Sequence, residues 1–249
     1  MSKNINIMPM GGIGERFKKF GYVNPKPLIN IKKKPMFLLS SKSLPQSNSW
    51  IFVVPYKFKH IRVFQNNLKR YFKKYKIIYL KNKTSGQAIT CLKAYKYIKN
   101  NEQIFINSCD VFFKYNENEL KNKLLKNDII VFTSKVKNIH IKNPKSFGWV
   151  KSLSNNRIKI SCKKPLSRDL RKDRIIIGAF VFKNKSIFKN SINAIIKNKK
   201  KINNEYYLDV VAAEAGKLGL SVAEVRVKKI VSWGSHQELN LWKKNNERI

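Results

Sequence analysis

The sequence feature that most constrains this chain is a glycine-rich stretch, PMGGIGER, at residues 9–16. It follows a short apolar run at residues 5–8, which predicts a buried strand that ends where the glycines begin. Gly11, Gly12 and Gly14 leave the backbone free to adopt positive φ and to approach a bound group closely, because no Cβ atom intervenes. Their amides can converge on an anion, so the stretch predicts a phosphate-binding loop.

Two cations are placed to complete such a site. Arg16 follows the last glycine, and Lys26 lies in the segment NPKPL at residues 24–28. Two common phosphate motifs do not describe the stretch, since the ATPase loop needs Lys followed by Ser or Thr where this chain has Glu15-Arg16-Phe17. The G-x-G-x-x-G spacing of dinucleotide-binding proteins is also absent. Glycines with flanking cations predict a polyphosphate ligand.

The glycine loop with its arginine, followed by Pro-Lys-Pro-Leu, resembles the signature of sugar-phosphate nucleotidyltransferases, the NDP-sugar pyrophosphorylases that include the glucose-1-phosphate thymidylyltransferases. The resemblance implies a nucleotidyltransferase enzyme whose loop amides, at Gly11, Gly12 and Gly14, hold the triphosphate of an NTP. It also implies two catalytic residues, with Arg16 on the leaving pyrophosphate and Lys26 on the α-phosphate.

Apolar runs and helical patterns alternate after this loop. The runs at residues 50–54, 77–80 and 104–106 predict strands buried on both faces of a parallel sheet. We therefore expect one α/β domain over residues 1–249, with a doubly wound, mostly parallel three-layer α/β/α sheet of the nucleotide-diphospho-sugar transferase type. An insertion at about residues 144–183 is expected to close over the sugar side of the site.

Charge and composition bear on the choice of partner. The chain has 249 residues, and its 53 Lys and Arg against 14 Asp and Glu give a formal net charge of +39. Such an excess can indicate a nucleic-acid or anionic-membrane partner. Nearly all the cations are Lys in a chain that is also crowded with Asn and Ile, so we interpret the excess as compositional bias. We expect neither a specific nucleic-acid partner nor a membrane partner.

Other features of the sequence place the protein in a cellular compartment. No apolar run reaches the ~18 residues needed to cross a bilayer, and the N-terminus lacks a signal-peptide core, which predicts a cytoplasmic protein. Cys91, Cys109 and Cys162 have neither disulfide nor zinc spacing and are predicted to be buried thiols. The three histidines are scattered and are predicted to be surface or structural residues. The sequence carries no signal for the oligomeric state.

The segment TSGQA at residues 84–88 opens a helix after the apolar run at residues 77–80. Ser85 is expected to cap this helix, so that Gly86 and Gln87 lie at its first turn, where free amides meet ligands. The local pattern alone is equally typical of an ordinary capped helix. Gly-Gln-Ala at this place resembles the family, and the resemblance implies that Gly86 and Gln87 bind the nucleotide, the glutamine contacting its base.

Asp110 ends an apolar strand at the edge of the sheet where the glycine loop also lies. Such a carboxylate is typical of nucleotide-dependent transferases that hold a magnesium ion, so Mg²⁺ is the expected cofactor and Asp110 its ligand; a polar strand cap is the alternative. The thymidylyltransferases carry a second magnesium-binding aspartate near the C-terminus, and aligning the glycines puts Ser232 in its place. Asp209 is a second candidate ligand.

Four residues are expected on the sugar-phosphate side through the same resemblance. Gly148 would leave room for the ligand and Trp149 would offer it an apolar face, although an ordinary aromatic strand fits the pattern equally well. Lys164 matches the lysine of a Glu-Lys-Pro motif whose glutamate is here replaced by Lys163. Glu205 belongs to a segment, NNEYYLD, that resembles the family, and a helix cap is its alternative role.

The predicted reaction is attack by a phosphate oxygen of a sugar 1-phosphate on the α-phosphorus of an NTP, which forms an NDP-sugar and pyrophosphate. Three alternatives stay open: a non-sugar phosphate acceptor such as phosphocholine, a nucleotide-sugar-dependent glycosyltransferase, and a basic nucleic-acid-binding module. The glycosyltransferase would need an Asp-x-Asp motif, and Asp110-Val111-Phe112 lacks the second carboxylate. The nucleic-acid module would leave the glycine loop and Asp110 without a purpose.

Overall fold

The computed structural model of the protein describes residues 3–12, 14–47, 49–153 and 157–245, and the side chains of Glu15 and Arg16 lie outside that description. Strands of a central mixed sheet alternate along the chain with helices that cover both of its faces. The predicted α/β class, with mostly parallel central strands flanked by helices, is confirmed.

The strands within the described ranges are, in chain order, β1 Asn4–Pro9, β2 Asn30–Ile31, β3 Lys34–Pro35, β4 Trp50–Pro55, β5 Tyr75–Leu80, β6 Gln103–Asn107, β7 Val111–Lys114, β8 Ile129–Lys135, β9 Gly148–Ser152, β10 Ile158–Cys162, β11 Arg174–Phe182, β12 Val222–Arg226 and β13 Lys229–Ser232. The α-helices are α1 Glu15–Lys18, α2 Met36–Ser41, α3 Ile61–Tyr71, α4 Gln87–Leu92, α5 Glu117–Lys126, α6 Asn138–Lys142, α7 Lys185–Lys197, α8 Leu208–Glu214 and α9 His236–Asn245. Short 3-10 turns lie at Lys26–Leu28, Tyr95–Tyr97, Pro144–Ser146, Leu170–Lys172 and Ala215–Leu218.

The sheet is parallel at one end and mixed at the other. Strands β6, β1, β4 and β5 lie side by side and parallel, as the alternation of apolar runs and helices predicts. Strand β11 is antiparallel to β6, β8 and β9, while β12 runs parallel to β8. The β9–β10 hairpin extends the sheet beyond β11, so the segment at 144–183 contributes strands to the central sheet.

Alternate residues of each central strand face two separate apolar cores. In β1, Ile5 and Ile7 pack with α4, α7 and α8 on one face of the sheet, while Met8 packs with α2, α3 and α5 on the other. A third cluster contains Phe17 and Trp233, together with Leu239 and Trp242 of α9. Each core removes apolar surface from water, which is the main stabilising contribution to a domain of this kind.

The polarity pattern of residues 222–231 does not reveal that these residues form two strands. They alternate in polarity as a single strand would, but the chain forms β12 and β13, which pair with different partners. Strand β12 pairs with β8, whereas β13 pairs with β7 in a separate two-stranded sheet. The alternation continues through both strands, so it could not indicate the change of partner.

Two further expectations about the whole chain can be compared with the structure. Cys91, Cys109 and Cys162 are buried free thiols, as predicted. None of the helices in the described parts of the chain has the length and apolar character required to span a membrane.

Candidate active site

Four chain segments meet at the carboxyl edge of the parallel strands. The glycine loop follows β1, the segment that opens α4 follows β5, and Asp110 lies in the turn after β6. The fourth segment follows β13 and is joined to the Asp110 turn by a hydrogen bond from the Trp233 amide to the Asp110 carbonyl, 2.8 Å long. Parallel strands place such loops together, which is why residues far apart in sequence converge here.

Lys26 and Asp110 form a largely buried ion pair at the centre of this edge. The Lys26 ammonium donates to the Asp110 carboxylate and, over 2.8 Å, to the carbonyl oxygen of Gly234. Pro25 and Pro27 flank Lys26 and fix the 3-10 turn Lys26–Leu28 from which the side chain projects. A cation and a carboxylate are therefore held together beside two loops.

The electrostatics of the pair keep both partners charged. Burial by itself raises the pKa of Asp110, but the Lys26 charge and hydrogen bonds from Lys26 and Ser108 outweigh it, so this pKa lies below its ordinary value. Burial lowers the pKa of Lys26, but the Asp110 and Glu238 charges outweigh that effect and the pKa of Lys26 is raised. The site carries a fixed positive charge next to a fixed negative one.

The glycine loop lies directly against Lys26. Gly14 has a φ of +67°, and a Cβ atom there would lie 3.2 Å from Cβ of Lys26. A Cβ atom on Gly11 would lie 3.0 Å from Leu80, whereas one on Gly12 would have no neighbour within 4 Å. Gly12 therefore faces open space, as a residue that approaches a ligand must. The Arg16 side chain lies outside the described residues.

A cavity of about 430 Å³ is lined in part by Lys26 and Asp110. Its walls come from α6, the turn before β9, the middle of β11, the first turn of α8 and the start of α9. Gln87, Gly148 and Asp209 line it, as do Ser232 and Glu238. Lys26 and Asp110 thus border a cavity of the size of a small-molecule site, and Lys26 also packs against the glycine loop.

Comparison with known proteins identifies the architecture. The sequence matches the Nucleotidyl transferase family over residues 5–219. The chain belongs to the nucleotidyl transferase family. No curated protein matches it significantly.

Solved structures share the fold of this nucleotidyltransferase at low sequence identity. A nucleoside-diphosphate-sugar pyrophosphorylase from Vibrio cholerae RC9 is 17% identical with a TM-score of 0.78, over 96% of this chain and 99% of that one. The inositol-1-phosphate CTP transferase from T. maritima is 16% identical with a TM-score of 0.74, over 98% and 95%. A UTP-bound UGPase from Acinetobacter baumannii is 12% identical with a TM-score of 0.73, over 98% and 93%.

The helix that carries Gln87 begins one residue later than predicted. Gly86, not Ser85, is the N-cap residue, and no side chain caps the helix. Gly86 has a φ of +110°, and a Cβ atom there would lie 2.5 Å from the carbonyl oxygen of Tyr206. Close packing against the Tyr206 backbone therefore accounts for a glycine at position 86. Gln87 lines the cavity. The nucleotide-binding role of both residues stays a prediction.

Gly148 and Asp209 form the far wall of the cavity. A Cβ atom on Gly148 would lie 2.4 Å from the Asp209 carboxylate, so only glycine allows the close approach. Burial raises the pKa of Asp209 to about 7, against the hydrogen bond from the Cys162 thiol and the charge of Lys163. A carboxyl group that is half-protonated near neutral pH can both donate and accept hydrogen bonds, and the role of Asp209 as a second metal ligand stays a prediction.

Three residues predicted on the acceptor side do not line the cavity. Trp149 is corrected from a ligand-facing to a core residue, because its indole is completely buried and donates a 2.9 Å hydrogen bond to the Pro144 carbonyl. Lys164 is exposed to solvent. Glu205 accepts a hydrogen bond from the Tyr207 hydroxyl.

Lys163, not Lys164, points toward the acceptor side. Its ammonium lies 2.8 Å from the Tyr207 hydroxyl, and its positive charge acts to lower the pKa of Asp209. Lys163 has a φ of +59°, in the left-handed region of backbone conformation.

Residues that sequence reasoning missed complete the cavity. His140 and Phe147 line it, and their rings meet at 4.7 Å between centroids. The Lys137 amide donates to Nδ1 of His140 over 2.9 Å, and burial lowers the pKa of His140 to about 4, so the ring is neutral with its proton on Nε2. Glu238 was also missed, although Ser235 and Glu238 have the spacing of a helix capping box.

The donor set beside Gly234 fits a magnesium ion that also binds substrate phosphates. In the described part of the chain, no three His, Cys, Asp or Glu side chains are grouped to hold a metal. Mg²⁺ uses one or two carboxylates together with phosphate oxygens and water in sites of this kind. Asp110 supplies one carboxylate, and the space beside Gly234, which a Cβ atom would fill, is bordered by oxygen atoms of Asp110, Ser232 and Glu238.

Proposed function

We propose that this nucleotidyltransferase condenses an NTP with a sugar 1-phosphate, forming an NDP-sugar and releasing pyrophosphate. One observation carries the proposal. Lys26 packs against the glycine loop at Gly14 and forms the ion pair with Asp110, and both residues of the pair line the 430 Å³ cavity. The NTP phosphates would lie on the glycine loop and the acceptor in the cavity, so that the reacting phosphates meet at the ion pair.

The reaction is an in-line displacement at the α-phosphorus. A phosphate oxygen of the acceptor forms a new P–O bond, the bond between the α-phosphorus and the bridging oxygen breaks, and the electron pair leaves on pyrophosphate. The attacking phosphate is already an anion near neutral pH, so no general base is required, and His140 is neutral and serves as a hydrogen-bond donor. Catalysis then consists of positioning and charge stabilisation.

Each protein group has a defined task in this scheme. The amides of the glycine loop bind the triphosphate, and Lys26 stabilises the charge that develops on the α-phosphate. Arg16 is assigned to the leaving pyrophosphate from the sequence pattern. Mg²⁺, held by Asp110, would supply Lewis-acid polarisation of the α-phosphate when it is bound.

The cavity favours a sugar phosphate over a quaternary ammonium compound. Gln87, Asn143, Ser146 and Asp209 offer hydrogen-bonding groups that suit hydroxyls. Choline groups are recognised by several aromatic faces together. Phe147 is the one benzene ring among the cavity-lining residues of the described chain. Sugar hydroxyls therefore match this wall better than a trimethylammonium group.

A pyrophosphate-release assay tests the proposal. The protein is incubated with Mg²⁺ and each of the four common NTPs, together with a panel of sugar 1-phosphates, an inositol phosphate and phosphocholine. Pyrophosphate should appear only when an NTP and a sugar 1-phosphate are both present, and the Asp110→Asn variant should release none. Release with phosphocholine alone would redirect the proposal to that acceptor, and no release with any pair would contradict it.

A further inference from the structure

Ser232 stands where the resembling enzymes have an aspartate, so one negative charge is missing at this place beside Asp110. A serine hydroxyl carries no negative charge, so Asp110 and Ser232 together supply one carboxylate where the resembling enzymes supply two. The structure brings a different carboxylate to this place. Glu238 lies in the first turn of α9 and lines the same cavity.

Three side-chain oxygens surround one small space next to Gly234. The position that a Cβ atom on Gly234 would take lies 2.9 Å from Oε2 of Glu238, 3.4 Å from Oδ2 of Asp110 and 3.5 Å from Oγ of Ser232. Gly234 has no side chain to fill this space. Two carboxylates and a hydroxyl, all hard oxygen donors, therefore converge on it.

A cation already stands among these oxygens. The Lys26 ammonium is bonded to the Asp110 carboxylate and to the Gly234 carbonyl, and the Glu238 charge also acts on it. The arrangement has the sign and the donor chemistry of a cation site.

Ser235 holds the Glu238 carboxylate in position. Its hydroxyl donates to Oε2 of Glu238 over 3.0 Å, and it accepts from the Glu238 amide over 3.2 Å. Helix capping alone would explain this pair, since Ser-x-x-Glu is a capping sequence. Capping does not explain why the carboxylate also borders the space beside Asp110, because a glutamate at this position usually bonds the backbone amide of the cap residue.

We propose that Glu238 is the second carboxylate of the divalent-cation site. It would act beside Asp110 and take the place of the aspartate that is absent at position 232. The proposal rests on the proposed function, because the cation is bound together with the NTP. It makes Glu238 a metal-ligating residue of this chain and gives Ser235 the task of orienting it.

Direct metal binding tests the assignment without relying on turnover. Free Mn²⁺ is measured by electron paramagnetic resonance while the protein is titrated in the presence of an α,β-methylene NTP analogue. Glu238→Gln keeps the length and the capping ability of the side chain. It should raise the Mn²⁺ dissociation constant about tenfold or more, the scale seen when a metal site loses a supporting group. Its melting temperature should stay close to that of the wild type.

Two further variants separate metal binding from capping. Ser235→Ala removes the cap and the hydroxyl that orients Glu238 but keeps both carboxylates, so it should lower the melting temperature and weaken Mn²⁺ binding less than Glu238→Gln does. Ser232→Asp in the Glu238→Gln background restores a second carboxylate to the same space, and it should recover Mn²⁺ affinity. Folding of each variant is checked by circular dichroism.

The outcomes distinguish this inference from the proposed function. If the wild type binds Mn²⁺ with the analogue and the folded Glu238→Gln variant binds it equally well, Glu238 is only a helix cap and the inference is overturned. The same conclusion follows if Ser232→Asp leaves the weakened affinity of a folded Glu238→Gln protein unchanged. A wild type that binds neither Mn²⁺ nor any NTP analogue would overturn the proposed function together with the inference.

Discussion

The Lys26 ammonium is ion-paired with the Asp110 carboxylate, and the two residues are 84 positions apart in the sequence. Each partner is largely buried and lines the cavity, so the pair serves both the fold and the proposed chemistry. A change at either residue will therefore alter stability as well as activity.

A double-mutant cycle measures this coupling. Lys26→Met and Asp110→Asn should each lower the free energy of unfolding by about 3–5 kcal/mol, because each leaves one buried charge without its partner. The double variant should lose clearly less than the sum of the two, as determined by urea denaturation. Strictly additive losses would show that the two groups do not interact. Asp110→Asn should also abolish turnover in the fraction that is folded.

Substitution of the two cations that the proposed reaction assigns to the phosphates should affect activity selectively. Arg16→Ala and Lys26→Ala are expected to lower kcat/KM for the NTP by roughly 10²–10³ each, the effect of losing one preorganised charge-stabilising donor. Lys57→Ala and Lys99→Ala are matched controls, since both side chains are exposed. Steady-state kinetics give kcat/KM for the NTP in each of the four variants. Equal losses at all four positions would instead indicate a general electrostatic surface.

Gly12→Val tests the phosphate loop without disturbing the fold. A Cβ atom at Gly12 meets nothing within 4 Å, so the variant should melt at the same temperature as the wild type. Its branched side chain would nevertheless occupy the space in which a phosphate would lie, and NTP–Mg²⁺ binding measured by calorimetry should vanish.

Nucleic-acid binding provides the contrast for the same variant. If the charge of +39 is a compositional bias, nucleic acid should bind weakly and lose affinity steeply between ~50 and ~200 mM salt, with Gly12→Val unchanged. NTP binding by the wild type should depend less on salt, because enclosed charges are screened less. Tight, sequence-dependent nucleic-acid binding at ~200 mM salt without NTP affinity would contradict the account.

His140 predicts a loss of stability in mild acid. Burial holds its pKa at about 4 in the folded protein, against an ordinary value of 6.5. As the pH falls, His140 therefore takes up a proton at a higher pH in the unfolded chain than in the folded protein. The contribution of the neutral ring to the free energy of unfolding is complete above pH 6.5 and is lost as the pH falls toward 4. At pH 5 the loss is about 2 kcal/mol.

His140→Gln is the variant that tests this pH dependence of stability. Its free energy of unfolding should fall less than that of the wild type between pH 7.5 and pH 5, as measured by urea denaturation at both values. Other titrating groups are common to the two proteins and cancel in the comparison. An identical fall in both would mean that His140 is not buried in its neutral form.

The parts of the fold and site that the sequence predicted are those with local signals. The apolar run at residues 50–54 and the glycine loop required specific local conformations, and both lie where they were expected. Glu238 and His140 have ordinary local patterns, and their place at the cavity comes from the packing of α9 and α6 against the sheet edge. Trp149 was misassigned because the resemblance of its strand to an aromatic strand of the family does not indicate which face of that strand is covered.

The position of bond cleavage tests the central claim most directly. The protein is given the preferred NTP, labelled in separate reactions at the α- or the γ-phosphorus, with Mg²⁺ and a sugar 1-phosphate. The account predicts that the α-label enters a nucleotide sugar and the γ-label enters pyrophosphate, in equal amounts and only when the acceptor is present. Release of the γ-label as inorganic phosphate, or of the α-label as free nucleoside monophosphate, would contradict it.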